Sequence, residues 1–325
     1  MHPTITALAT GNLTTLTEPF VKAGMTASTP APGILQLIHS PAQSSRPRLL
    51  LSVAIHGDET APLEMLAHLL DELITAPHRL VLDLMIVVGN PAAIAAEERY
   101  IDADLNRMFR SERGDLQTTR EAERADDIMS ATTAFFDIPK AEKWHLDLHT
   151  AIRESYYPTF AVVPEVIDKN GRQALLAWLG KAGIEAAILN PSSAGTYSAY
   201  TAERYGAVSA TVELGQVGTL GKNDLTRFAD TSAALSDFIY TGVPPAGSAP
   251  AVFRVTQELI KHSEAFCLSF DRSTKNFTAL PPGSLIAQDR QIEYRVGPET
   301  EYVVFPNPDV RPGLRAGLMV VREKS

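Results

Sequence analysis

The sequence predicts an α/β protein, a mostly parallel mixed sheet with helices on both faces, followed by a small C-terminal β domain. Two observations carry this. Apolar runs of strand length alternate with segments of helical periodicity up to about residue 240, the pattern of a helix-covered parallel sheet. Then Gly242-Val-Pro-Pro-Ala-Gly-Ser-Ala-Pro reads as a linker, and beyond it short β-type runs are broken by Pro-Pro-Gly, Val-Gly-Pro and Pro-Asn-Pro. The expected division is 1–244 and 245–325.

Taken in order, residues 49–55 (Leu-Leu-Leu-Ser-Val-Ala-Ile) form a continuous apolar run, as in a strand buried on both faces. Residues 61–74 place apolar side chains at helical spacing, with Pro62 suited to a first turn. A second strand is expected at about 80–88, closed by Gly89-Asn90-Pro91. A charged helix follows at about 118–136. Further strands fall near 143–149, 158–163, 184–189 and 207–214, with helices near 171–182, 196–205 and 223–240. The runs at 252–256, 264–270, 291–296 and 301–305 belong to the β domain.

With 325 residues, the chain can bury one large core and a smaller one. Asp and Glu outnumber Lys and Arg by 38 to 29, a net charge of −9. Such a molecule repels nucleic acid and anionic membranes, so neither is an expected partner. A small anionic substrate would need a local group of arginines. The single cysteine, Cys267, excludes a disulfide framework and a Cys-rich zinc site. Its apolar flanks suggest a buried strand. The first sixteen residues lack a basic start and an apolar run, and no segment approaches a membrane span. A cytoplasmic location is the resulting expectation, and self-association is left open.

Chemistry concentrates at predicted strand ends, where open α/β sheets bind ligands. His56 closes the first strand, with Glu59 three residues on. Gly57 between them would let the backbone turn sharply. His149 closes another apolar strand. Two His and one Glu make a catalytic zinc site with one position left for water. A His-x-x-Glu pair alone is a weak signal, equally read as a surface turn; its placement strengthens it. His145, Asp147 and His149 share one strand face. Asp147 can accept an N–H from His149 or from His56 and fix that ring, while His145 reads as a packed or bridging histidine. Glu213, in Ala-Thr-Val-Glu-Leu-Gly, is costly to bury unless paired or used. It is either a structural ion-pair partner or a general base. Asn106 and Arg107 suit a carboxylate, with Arg99 as a second contact and Arg153 on the loop after His149. Tyr200 and Arg204, four apart, share a helix face. Arg110, Arg113 and Arg120 read as solvated surface residues.

His56-Gly-Asp-Glu-Thr-Ala-Pro, Asp104-Leu-Asn-Arg-Met-Phe, Asp147-Leu-His-Thr-Ala-Ile-Arg and Val212-Glu-Leu-Gly together resemble the succinylglutamate desuccinylase/aspartoacylase family. So does the tail Tyr302-Val-Val-Phe-Pro-Asn-Pro followed by Gly-Leu-Arg-Ala-Gly-Leu-Met. The resemblance runs through the chain in order. It implies a zinc carboxypeptidase-like catalytic domain under a C-terminal β domain, and one zinc per chain held by His56, Glu59 and His149. It implies Glu213 as general base, and Asn106 and Arg107 on the amino-acid carboxylate. Arg99, Tyr200 and Arg204 match binding positions by spacing only. The implied reaction is hydrolysis of N-succinyl-L-glutamate, the last step of arginine breakdown by the succinyltransferase route. An aspartoacylase-like deacylase, a metallocarboxypeptidase and a non-catalytic binder on the same fold are the alternatives. One departure is Asp58, where the family often carries Asn. Gly215-Gln-Val-Gly-Thr-Leu-Gly-Lys222 fits no phosphate-binding loop, and no Gly-x-Ser-x-Gly elbow is present.

Overall fold

A computed structural model describes residues 2–40, 45–192 and 195–324. Its strands are β1 (Met25–Ser28), β2 (Ile34–His39), β3 (Arg48–Val53), β4 (Asp83–Val88), β5 (Lys143–Ala151), β6 (Thr159–Pro164), β7 (Ala186–Asn190), β8 (Val208–Gln216), β9 (Ala251–Ile260), β10 (Cys267–Leu268), β11 (Thr278–Leu280), β12 (Leu285–Asp289), β13 (Ile292–Arg295), β14 (Glu301–Val304) and β15 (Arg315–Arg322). Its helices are α1 (Pro3–Thr10), α2 (Glu18–Lys22), α3 (Ala61–Thr75), α4 (Pro91–Ala96), α5 (Arg120–Phe136), α6 (Lys169–Lys181), α7 (Tyr197–Tyr205) and α8 (Ala229–Thr241).

One mixed sheet runs through the molecule in the order β1-β2-β4-β3-β5-β8-β6-β7-β9-β15-β14-β11. The strands β4-β3-β5-β8 are parallel, as are β6-β7-β9. β6 runs antiparallel to β8 between the two groups. Alternation along β3 explains the layers. Leu49, Leu51 and Val53 pack into the core shared with α1, α3, α6 and α8, while Leu50 faces the core under α5 and α7. Each such buried leucine is worth about 1.5–3 kcal/mol. In β5, Trp144, Leu146 and Leu148 take the first face. The intervening His145, Asp147 and His149 therefore look toward the α7 side, and sheet pairing fixes their height.

The C-terminal segment is antiparallel β, and it does not stand apart from the main sheet. β9 pairs with β7 on one side and β15 on the other. Phe160 and Ile188 share a core with Phe253, Val304, Leu318 and Val320. A separate sheet, β10-β12-β13, caps this region. Cys267 is exposed, correcting the expected buried strand, because β10 is a two-residue edge pairing. The helix expected over 223–240 starts later: Leu225–Phe228 is a 3₁₀ turn leading into α8. Among the described residues no helix is long and apolar enough to cross a membrane.

Candidate active site

β3, β5 and β8 bring the chemistry together at one end of the sheet. After β3, Ala54 adopts a left-handed conformation (φ 49°), which costs an L-residue about 1–2 kcal/mol. It turns the chain where His56 leaves the strand. Gly57 has ordinary φ; it is needed for space. A Cβ there would lie 2.3 Å from the Ala93 carbonyl carbon and 2.6 Å from the Glu98 oxygen. The Gly57 amide donates to the Arg99 carbonyl at 3.0 Å. The missing side chain thus lets the His56–Glu59 turn lie against the segment that carries Arg99.

His56, Glu59 and His149 are buried, and their ligand atoms lie within 4.8 Å of one another. The Nδ1 atoms of both histidines are 2.7 Å from Glu59, His56 on Oε1 and His149 on Oε2. The Thr150 amide also donates to Oε2, and Arg99 Nη1 to Oε1 at 2.8 Å. The outer ring nitrogens are held as well: His56 Nε2 lies 2.9 Å from Asp104, and His149 Nε2 lies 2.9 Å from Asp147. Of the two partners open to Asp147, the structure selects His149. A carboxylate behind each ring fixes it with Nδ1 toward the shared centre, the usual arrangement behind a histidine ligand. Two imidazole nitrogens and a carboxylate form a donor set that can hold a metal ion.

The polar chain continues inward. Ser52 donates to Asp147 Oδ1 at 2.6 Å and therefore accepts from His145 Nε2 at 2.8 Å. His145 Nδ1 faces Thr201 Oγ1 at 2.8 Å. His145 is fully buried and bridges; burial lowers its pKa to about 4, so it stays neutral.

Charge decides the other protonation states. Burial opposes ionisation of Glu59, yet His56 and His149 hold it well below the usual carboxylate range. Burial opposes the His149 imidazolium, yet Asp147 and Glu59 raise its pKa well above the ordinary value. His56 is raised against burial by Glu59 and Asp104. Glu213 differs. It is the register partner of His149 across β5 and β8. It is buried, its Oε2 makes no hydrogen bond, and burial pushes its pKa up to about 7. That is a carboxyl group poised to exchange a proton near neutral pH.

Asn106 and Arg107 sit on a 3₁₀ turn capped by Asp104, whose side chain accepts from the Asn106 amide. Asn106 Oδ1 accepts from the Tyr197 amide at 2.9 Å, which leaves its Nδ2 as donor. Arg107 Nη1 donates to the Asn106 carbonyl, and Nη2 lies 3.9 Å from Asp104. Arg99 is part of the cluster, with Asp58 4.0 Å from its Nη1 to receive its charge.

Three expected residues are placed otherwise. Tyr200 and Arg204 are carried away from the cluster. The Tyr200 hydroxyl bonds Tyr205, whose carbonyl lies over Lys143 at the start of β5. His149 is six residues further along β5, about 20 Å at the usual strand rise, and Arg204 is exposed. Arg153 turns to the C-terminal segment, donating to the carbonyls of Arg272, Thr274 and Pro306. Arg113, expected on the surface, is buried and bonds Met108, Ala122 and Asp126. The role of Asp104 behind His56 escaped the sequence reading. Its only signal was its place two residues before Asn106 in the quoted motif.

Comparison with known proteins agrees with this layout. The family pattern described as "Succinylglutamate desuccinylase/Aspartoacylase catalytic domain" matches residues 45–239, and "AstE/AspA barrel-sandwich hybrid domain" matches residues 248–323. The chain is 42% identical over 281 residues to the succinylglutamate desuccinylase of Burkholderia orbicola (strain AU 1054), covering 86% of this chain and 82% of the relative. It is 40% identical over 293 residues to that of Burkholderia thailandensis, covering 89% and 84%. Among solved structures, a succinylglutamate desuccinylase from Vibrio parahaemolyticus superposes with a TM-score of 0.84 at 31% identity, over 93% of this chain and 89% of that one. That from Chromobacterium violaceum gives 0.79 at 32% identity, over 95% and 98%. The chain belongs to the succinylglutamate desuccinylase/aspartoacylase family.

Proposed function

We propose that this chain is a zinc-dependent amidohydrolase that cleaves N-succinyl-L-glutamate to succinate and L-glutamate. The observation that carries the chemistry is the pairing of the His56–Glu59–His149 donor set with Glu213, whose buried Oε2 has no partner. The substrate comes from the similarity, at about 40% identity over most of the chain, to proteins named succinylglutamate desuccinylase. One zinc per chain suits two histidines and one glutamate. When bound, zinc supplies Lewis acidity toward water and toward an amide carbonyl.

The chain's own residues do the rest. Asp104 and Asp147 orient the two imidazoles. Arg99 offsets the charge of Glu59 and Asp58. Asn106 Nδ2 and Arg107 hold the α-carboxylate of the glutamate half, setting the amide beside Glu213. Glu213 takes a proton from the attacking water and gives it to the departing amide nitrogen, leaving a neutral amine and a succinyl carboxylic acid, whose remaining water-derived proton passes to the amine as the products ionise. A pKa lifted by burial suits both transfers near neutral pH. A pure binder of the same anion would have no use for an unpaired carboxyl at that point.

The test is product analysis. The zinc-loaded chain with N-succinyl-L-glutamate should release succinate and glutamate in equal amounts. No release of either product would refute the reading.

A further inference from the structure

Arg315 opens β15 where its pairing with β9 slips: Arg315 faces Ile260, while Gly317 faces Leu259. Such bulges re-aim side chains beside sites. The Arg315 side chain is mostly buried, and its Nη1 makes no hydrogen bond. Glu258 Oε1 lies 3.5 Å away and makes none either, so the two share charge without a bond. Arg107 and Asp104 lie close enough for their charges to act on the same guanidinium. Burial, together with the like charge of Arg107, pushes Arg315 down to about 10.

Arg107 lies 3.9 Å from Asp104, which itself touches His56, and the charges of both reach Arg315 from the C-terminal segment. Asp104 and Glu258 balance the two guanidinium charges, so what Arg315 offers a ligand is its unbonded Nη1 donor. A guanidinium also matches a carboxylate with two parallel N–H bonds. Of the other arginines expected at the substrate, Arg99 is bonded to Glu59. Arg204 is exposed on the far side, and Arg153 is committed to backbone carbonyls.

We propose that Arg315 binds the side-chain carboxylate of the substrate's glutamate half, across from Arg107 on the α-carboxylate. The C-terminal β region would thereby set the selectivity of a site whose chemistry belongs to the other half. This rests on the reading of the substrate as N-succinyl-L-glutamate.

The experiment compares N-succinyl-L-glutamate with N-succinyl-L-glutamine, the isostere with a neutral side chain, on the zinc-loaded full chain and on Arg315→Met and Arg315→Lys. If the unaltered chain cleaves neither compound, the reading of the substrate fails and the inference goes with it. If it cleaves N-succinyl-L-glutamate with preference, that reading stands and the variants decide. Arg315→Met should lower the preference for the glutamate compound about tenfold to a hundredfold, the scale of a charged hydrogen-bonded contact. Equal losses on both compounds, or an unchanged preference, would overturn the proposal. Arg315→Lys keeps the charge and loses the fork, so its preference should fall between the two. It decides the matter if the Met variant does not fold: an unchanged preference in a folded Lys variant also overturns it.

Discussion

His149 and Glu213 face each other as register partners on the parallel strands β5 and β8. Adjacent strands are about 4.8 Å apart, so the sheet itself sets Glu213 beside the cluster without asking either loop to be rigid. Glu213 bonds neither histidine; its Oε2 is free of partners. Glu213→Gln should therefore leave the metal content unchanged and lower kcat by about a hundredfold or more, the scale of a lost general base. A kcat near that of the unaltered chain would make Glu213 a structural residue.

Removal of a histidine should act on both readouts. His56→Ala and His149→Ala each delete one of three donors that lie within 4.8 Å. Elemental analysis after dialysis should find about one zinc per chain before substitution and far less after, with activity lost in parallel. Full occupancy in both variants would refute the assignment of the cluster.

Zinc affinity should rise with pH. In the metal-free chain Asp147 and Glu59 hold a proton on His149 and raise its pKa well above the ordinary value, against the effect of burial. The sign follows. Below that raised value the ion must displace the proton, and the competition weakens as pH climbs. Titration calorimetry at pH 7 in two buffers of different ionisation heat should register release of about one proton or more per zinc. Affinity independent of pH between about 6 and 8, with no proton released, would contradict the protonation state given to His149.

Arg153→Ala should hurt without discriminating. Its donors go to the carbonyls of Arg272, Thr274 and Pro306, which ties the loop after His149 to the C-terminal segment. Loosening that tie should lower kcat/KM on N-succinyl-L-glutamate and on N-acetyl-L-glutamate by similar factors. A loss confined to the succinyl compound would mean that Arg153 leaves those carbonyls to bind the succinyl carboxylate.

The sequence is most readable where the sheet is most buried. β3 and β4 are near-continuous apolar runs because both faces are covered, while β5 and β8 carry buried polar residues between apolar ones, and a His or Glu near the end of such a strand stands out. That is how His56, His149 and Glu213 were visible. β1 and β2 pair antiparallel at the edge, and Met25–Ser28 has no such run, so they were not. Spacing put Tyr200 and Arg204 on one face of α7. It could not tell that this helix runs from Asn106 toward the start of β5, away from the cluster. Asp104 and Arg315 were hidden for a related reason. Their roles arise from contacts between segments distant in the chain, which no local pattern reports.

The central claim is that a metal-dependent amidohydrolase site here is matched to N-succinyl-L-glutamate. The direct test is kcat/KM of the zinc-loaded chain on N-succinyl-L-glutamate, N-acetyl-L-aspartate and a dipeptide under one set of conditions. The account predicts that the first exceeds both others by at least about tenfold, the worth of one additional charged contact. A higher value on N-acetyl-L-aspartate or on the dipeptide would contradict it.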